Sequence, residues 1–325
     1  LIPGDLELRD ALERALAQCG WAALRQVSRR ASEYRTSFPL EELEVTLVDG
    51  DRLRLAFKQL DWNRLDVEAQ LAKPEFLHDP TREPTVYASL LALADVGAPA
   101  YRGALLDPDN GRHWLFVEWV EGRELYQVAD TTLWAEAARW LGELHVRFRD
   151  EVDRLAVELP LVDYDEAYYR RWLARAREFS QGDPVKVRSL DWLARRYDGV
   201  VEALLSLPQT FLHGEFYASN VLVDDSAGRC RVAPVDWELA ARGPGLVDLA
   251  ALVSGNWEEA ERERIVAAYR AAVGGELFSR RQLDLARLHL AVQWLGWAPP
   301  EWVPPEGQRH DWLGEALELA EGMGL

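Results

Sequence analysis

Lysine is almost missing from this chain of 325 residues, which holds only three of them while using arginine throughout. Cysteine is nearly as scarce. Cys19 and Cys230 stand far apart with no CxxC spacing, which excludes a disulfide scaffold and predicts two free thiols in a reducing cytoplasm. His78, His113, His289 and His310 show no metal-ligand spacing, so a zinc hydrolase is unsupported. No run approaches a membrane span, and the first residues lack a basic, apolar, small-residue leader pattern, so the expectation is a cytoplasmic protein without a membrane partner. Positive charge is in deficit. A net charge of −18 would repel phosphates over most of the surface, which argues against a nucleic-acid partner. There is no Gly-x4-Gly-Lys-Ser/Thr loop and no Gly-x-Gly-x-x-Gly after a strand, which excludes two common nucleotide-binding classes.

What is present is ample apolar material. A hydrophobic fraction of 48% with 14 tryptophans supports a packed globular protein, and the length favours two lobes. A helix is expected over 6–19, then short strands at 23–28, 37–40, 43–48 and 52–60, with Asp49-Gly50 as a hairpin turn. A helix over 82–94 tolerates Pro84 in its first turn, and Trp114–Val120 reads as a buried strand. Helices are then expected over 132–149, 163–179, 185–205, 257–273 and 281–297, with strands at 211–223 and 231–235 between them. The fold class is therefore α+β and bilobal. A sheet lobe of residues 1–120 meets a mainly helical lobe of residues 121–325 at a hinge near Glu121-Gly122.

The chemistry gathers in two stretches. One is His213-Gly214-Glu215, with Asn220 five residues beyond the acid; the other is Asp236-Trp237-Glu238. A carboxylate and a carboxamide beside triphosphate oxygens suffice for magnesium, which keeps several waters. Asn220 and Asp236 fit that task, and Glu215 is placed to accept a hydroxyl proton. In the N-terminal part, Leu53, Leu55 and Phe57 alternate with Ala56 and Lys58, so Ala56 and Lys58 share a face. Phosphoryl transfer from a nucleotide needs a strand lysine for the phosphates and a helix glutamate to hold it, and Glu83 is the expected partner of Lys58. The backbone of 116–120, through Glu118 and Val120, would face the nucleotide base.

The ordered set His213-Gly214-Glu215, Asn220, Asp236-Trp237-Glu238, Gly243 and Asp248-Leu249-Ala250 resembles the aminoglycoside phosphotransferase and choline kinase-like superfamily. The resemblance covers roughly residues 25 to 255. It implies a protein-kinase-like fold, ATP or GTP as phosphoryl donor, Mg2+ on Asn220 and Asp236, Glu215 at the catalytic-base position, and a structural Asp248. The acceptor would be a small molecule, and the chain's acidity leans toward an amine-bearing one, such as an aminoglycoside, an amino sugar or choline.

Two features depart from that pattern. The family has Asp where this chain has Glu215, and one extra methylene moves a carboxylate by roughly 1.5 Å, enough to matter when errors of about 1 Å cost a hundredfold in rate. The expected phosphate-covering turn, Ser28 to Ser37, contains no glycine, which leaves Arg30, Ser32 or Arg35 to reach phosphate through side chains. The alternative to a working kinase is a catalytically degenerate nucleotide-binding module of the same fold. Trp294, Trp297 and Trp302 could stack on a sugar ring or cage an amine, but core is the expectation; Glu238 is nearest the site of the acids that could recognise a substrate amine.

Overall fold

The computed structural model describes residues 4–32, 34, 37–226, 228, 230–274, 278–303 and 309–325. Its N-terminal part is an antiparallel sheet of five strands, β1 (Leu24–Ala31), β2 (Leu40–Leu47), β3 (Arg52–Gln59), β4 (Tyr101–Asp107) and β5 (Arg112–Glu118), in the order β1-β2-β3-β5-β4. Gly50 turns the chain between β2 and β3 at φ 101°, a conformation that costs glycine little. One face of the sheet is covered by α1 (Asp5–Gln18), whose Leu8, Leu12, Ala15 and Leu16 pack on Leu43, Val45, Leu55, Phe57 and Phe116. The alternation in β3 therefore reads correctly, and Ala56 and Lys58 are left for the other face. Strand β4 is absent from the expectation because Gly103 and the consecutive apolar residues of that edge strand break a clean period of two.

The short helix α2 (Val67–Ala72) was not expected either; Asp66 caps it by accepting from Ala69 N–H at 2.6 Å. The expected helix over 82–94 forms as α3 (Arg82–Val86), a π-helical turn (Tyr87–Leu91) and α4 (Ala92–Ala94), with Pro84 in the first turn.

The remainder is mainly helical: α5 (Thr131–Phe148), α6 (Val152–Glu158), α7 (Glu166–Phe179), α8 (Pro184–Ala194), α9 (Tyr197–Leu205), α10 (Leu246–Leu252), α11 (Glu259–Ala272), α12 (Arg280–Leu295) and α13 (Trp312–Gly322). The single helix expected over 185–205 is two. Arg196 ends α8 by folding its guanidinium over the Trp192 ring and donating to Trp192 O at 3.0 Å, which satisfies a carbonyl freed at the break. The strand expected over 211–223 is also two, divided between separate small sheets. Strand β8 (Gln209–Leu212) joins β11 (Ala241–Pro244) and β7 (Val162–Asp163); β9 (Val221–Asp224) joins β10 (Arg231–Pro234) and β6 (Arg123–Glu124).

The fold is the bilobal, α+β kinase-like one. Apolar packing crosses between its parts, since Leu115 and Val117 of β5 share a buried cluster with Phe211 and Trp237. Among the described residues no helix is long and apolar enough to cross a membrane.

Candidate active site

The segment between β8 and β9 is a loop held by buried polar groups. His213 is fully buried; its Nε2 donates to Val235 O at 2.9 Å, and its Nδ1 accepts from the Glu215 N–H at 3.3 Å. Burial pulls its pKa down, in keeping with the neutral ring these two bonds require. Asp248, near the start of α10, accepts from the backbone N–H groups of His213 at 2.7 Å and Gly214 at 3.0 Å, and it meets His145 Nε2 at 3.4 Å. His145 is anchored in turn on Tyr269 Oη at 2.9 Å. Gly214 is required twice over. Its φ is +87°, and a Cβ there would lie 2.1 Å from Leu239 O. This chain of contacts fixes the loop from which Glu215 and Asn220 project, and Asp248 has the bracing place expected of it.

Beside the loop, the Lys58 ammonium bridges three carboxylate oxygens. It lies 2.7 and 3.0 Å from the two oxygens of Glu83 and 2.8 Å from Asp236 Oδ1. Burial alone would lower the lysine pKa, but Asp236, Glu83 and Glu238 outweigh it and hold the ammonium charged. Burial likewise works to raise Asp236, and Lys58 and Lys73 reverse that, leaving it below the usual carboxylate range. Asp236 adopts a left-handed backbone at φ 68°, uncommon for a non-glycine residue and often found where a side chain is aimed at a ligand. Asn220 donates from Nδ2 to Glu215 O at 3.0 Å. The Glu215 carboxyl is pushed up to about 8, first by burial and then by the Glu238 carboxylate, with Lys73 opposing.

All seven residues predicted for the site, Lys58, Glu83, Glu118, Val120, Glu215, Asn220 and Asp236, line one cleft of about 440 Å³. Ala56 lines it too, on the same face of β3 as Lys58. Glu118 is the exception in manner. Its carboxylate turns aside to accept from Arg231 at 2.6 and 2.9 Å and from the Ala100 N–H at 3.0 Å, and its own N–H donates to Ala100 O at 2.8 Å, which leaves the backbone carbonyl as its group for a ligand. The turn between β1 and β2 contributes Tyr34 and Ser37 to the cleft rather than the residues expected. The Arg30 guanidinium is engaged with Glu42 at 3.1 Å, Ser32 is not among the lining residues, and Arg35 lies outside the described residues.

One feature of the cleft went unread in the sequence, and a second was weighed the other way. Lys73, at the end of α2, is buried and ion-paired to the buried Glu238, two residues beyond Asp236. The scarcity of lysine was the available signal, since two of the three lysines stand in this cleft. Trp294, Trp297 and Trp302, expected in the core, are only partly buried and line the cleft next to Tyr217. Helix α12 buries residues all round its circumference, so no polar face marks which tryptophans point to the cavity.

A family model described as the phosphotransferase enzyme family matches residues 44–286. The chain belongs to that family. Among curated proteins, no sequence match was found for this phosphotransferase. Solved structures share its fold at low identity. A macrolide 2'-phosphotransferase from Brachybacterium faecium superposes with a TM-score of 0.56 at 19% identity, covering 88% of this chain and 89% of that one. An aminoglycoside 2'-phosphotransferase-IIIa solved with GDP gives 0.56 at 17% identity, covering 99% and 98%. The choline kinase of Streptococcus pneumoniae gives 0.55 at 14% identity, covering 93% and 94%. The phosphotransferase thus spans nearly the whole length of each relative.

Proposed function

We propose that this phosphotransferase moves the γ-phosphate of ATP or GTP to a hydroxyl of a small molecule, with Mg2+ as cofactor. The observation that carries the reading is Lys58 bridging Glu83 and Asp236, since one ammonium then ties the sheet, α3 and the Asp-Trp-Glu turn together at the place where phosphates must lie. The GDP-bound relative supports a nucleotide donor. In this reading residues 1–120 form the nucleotide lobe and residues 121–325 carry the catalytic loop and the acceptor site. The backbone of Glu118 and Val120 faces the base, and Lys58, held by Glu83, reaches the α- and β-phosphates.

The donor set fits magnesium. Asp236 and Asn220 offer hard oxygens, and among the described residues no group of three or more His, Cys, Asp or Glu side chains forms a closed metal cage. A cation there would complete its shell from phosphate and water, as magnesium does. When bound, the ion neutralises charge on the transferring phosphoryl group. Glu215, raised by burial, is a stronger proton acceptor than an exposed carboxylate, and it takes the proton of the attacking hydroxyl.

The test is release of ADP or GDP by the purified protein with magnesium and a panel of hydroxyl compounds. Acceptor-dependent release is expected, with a loss of about a thousandfold in Asp236→Ala while the fold persists by circular dichroism. Undiminished, metal-dependent turnover in that variant would sink the assignment. Nucleotide binding without release from any acceptor would favour the degenerate module.

A further inference from the structure

A second cavity, of about 110 Å³, lies among α5, α10, α11 and α12. It shares His145 and Tyr269 with the chain of contacts that braces the His213-Gly214 loop. Its walls differ from those of the main cleft in charge. Eight acidic residues line the main cleft, whereas no described residue lining this cavity is Asp or Glu. In a chain with 55 acidic residues against 37 Lys and Arg, that leaves a locally positive pocket. Its cation is Arg149, partly buried at the end of α5, which makes no ion pair or hydrogen bond with any described residue. Arg270 adds a second positive charge nearby, its guanidinium carbon 5.0 Å from the centroid of the Phe278 ring that forms part of the wall.

The polar groups of this wall divide into those already engaged and those still open. Thr210 Oγ1 donates to His145 O at 2.7 Å, and His145 is engaged at both ring nitrogens, by Tyr269 Oη and Asp248. Asp248 stands behind that ring and already accepts from the His213 and Gly214 N–H groups. Burial pushes the Tyr269 phenol up, so it stays neutral and adds no negative charge. Gln282 accepts the Ser279 N–H through Oε1 at 2.7 Å, which leaves its Nε2 as a donor. The open donors thus belong to Arg149 and Gln282. Leu207, Leu246, Val273 and Phe278 supply an apolar wall beside them. Guanidinium matches a planar carboxylate with two parallel hydrogen bonds, and an inorganic anion would leave that apolar wall uncovered. Water takes about 30 Å³ per molecule in the liquid, so the cavity has the room of roughly three or four waters, enough for a carboxylate on a short carbon chain.

We propose that this cavity binds a small organic carboxylate, whose oxygens take the Arg149 guanidinium and Gln282 Nε2 and whose carbon chain lies on Leu246, Val273 and Phe278. The site is distinct from the main cleft and stands whether or not that cleft transfers phosphate. Its occupant rests against Tyr269, the residue that anchors His145 beneath the His213-Gly214 loop.

Ligand-observed NMR on the full chain tests this with butyrate as probe, beside acetate, which lacks the chain, and butyramide, which lacks the charge. Butyrate is expected to bind saturably with a Kd on the order of 1 mM, and the other two at least about fivefold more weakly. Arg149→Gln is expected to weaken butyrate about tenfold or more, and since Arg149 has no partner to lose, the Tm should stay where it is. V273F, which fills the cavity, is expected to block butyrate as well. The absence of a saturable butyrate signal in the wild type overturns the proposal. So does acetate or butyramide binding as tightly as butyrate, or undiminished butyrate binding in Arg149→Gln. If that variant does not fold, undiminished binding in V273F overturns it instead, because the acid then sits elsewhere.

Discussion

The two ends of the cleft are built on different principles. At the end holding Lys58, Glu83, Asp236 and Asn220, carboxylates outnumber cations, and the groups are cross-linked through short hydrogen bonds. Elsewhere the cleft is lined by aromatic rings, Tyr217, Trp294, Trp297 and Trp302. The first arrangement suits a ligand of fixed chemistry, a triphosphate with its cation, whose charge distribution dictates where each donor must stand. The second asks only for a surface of the right shape, and many side-chain sets can supply one. Within one cavity, then, the charged end constrains sequence tightly and the aromatic end loosely.

Substitutions that act on one end only sharpen this contrast. Lys58→Ala is expected to lower turnover by about a hundredfold or more, with its effect on nucleotide KM exceeding that on acceptor KM. Because it leaves Glu83 buried and unpaired, it should also cost about 3–5 kcal/mol of stability. Unchanged nucleotide KM and kcat would remove Lys58 from the site. Trp302→Ala should do the reverse and more gently, raising acceptor KM up to about tenfold at constant nucleotide KM. If both constants move together, the cleft does not divide as described.

Smaller effects probe the frame around both ends. Arg231 holds Glu118 together with Gly97 O and Ala98 O, so Arg231→Ala should loosen the nucleotide side. Both side chains are partly exposed, and a cost of about 1 kcal/mol is expected, seen as a fall of a few degrees in Tm. His289, behind the aromatic wall, is bonded to Tyr197 Oη at 2.9 Å, and burial pulls its pKa from 6.5 to about 3. The unfolded chain takes up this proton first. The contribution of His289 is therefore complete above 6.5 and is lost progressively as the pH falls toward about 3. His289→Gln should flatten the acid limb of a denaturation series, and an unchanged slope would show that other groups govern it.

The charged end was legible because its signals are local. Period-two alternation put Lys58 on one face of β3, and a fixed interval joined Glu215 to Asn220. The pairing of Lys58 with Glu83 was an expectation that the structure meets, with both oxygens in contact. The aromatic cluster fitted a ligand surface or a core equally, and spacing did not decide between them. Trp294 lies on a helix buried on every side, Trp302 follows in irregular chain, and Lys73 ends a helix of six residues whose partner acid is 165 positions away.

The sequence by itself thus determined the fold class, the family and which charged residues gather around Lys58, because strand period and motif spacing are properties of neighbouring positions. Only the tertiary structure decided that Glu118 turns its carboxylate to Arg231, that 211–223 divides between two sheets, and that Lys73 pairs with Glu238 in the cleft. Those outcomes depend on which distant groups burial forces into contact, and a buried charge takes whichever partner the packing brings within reach.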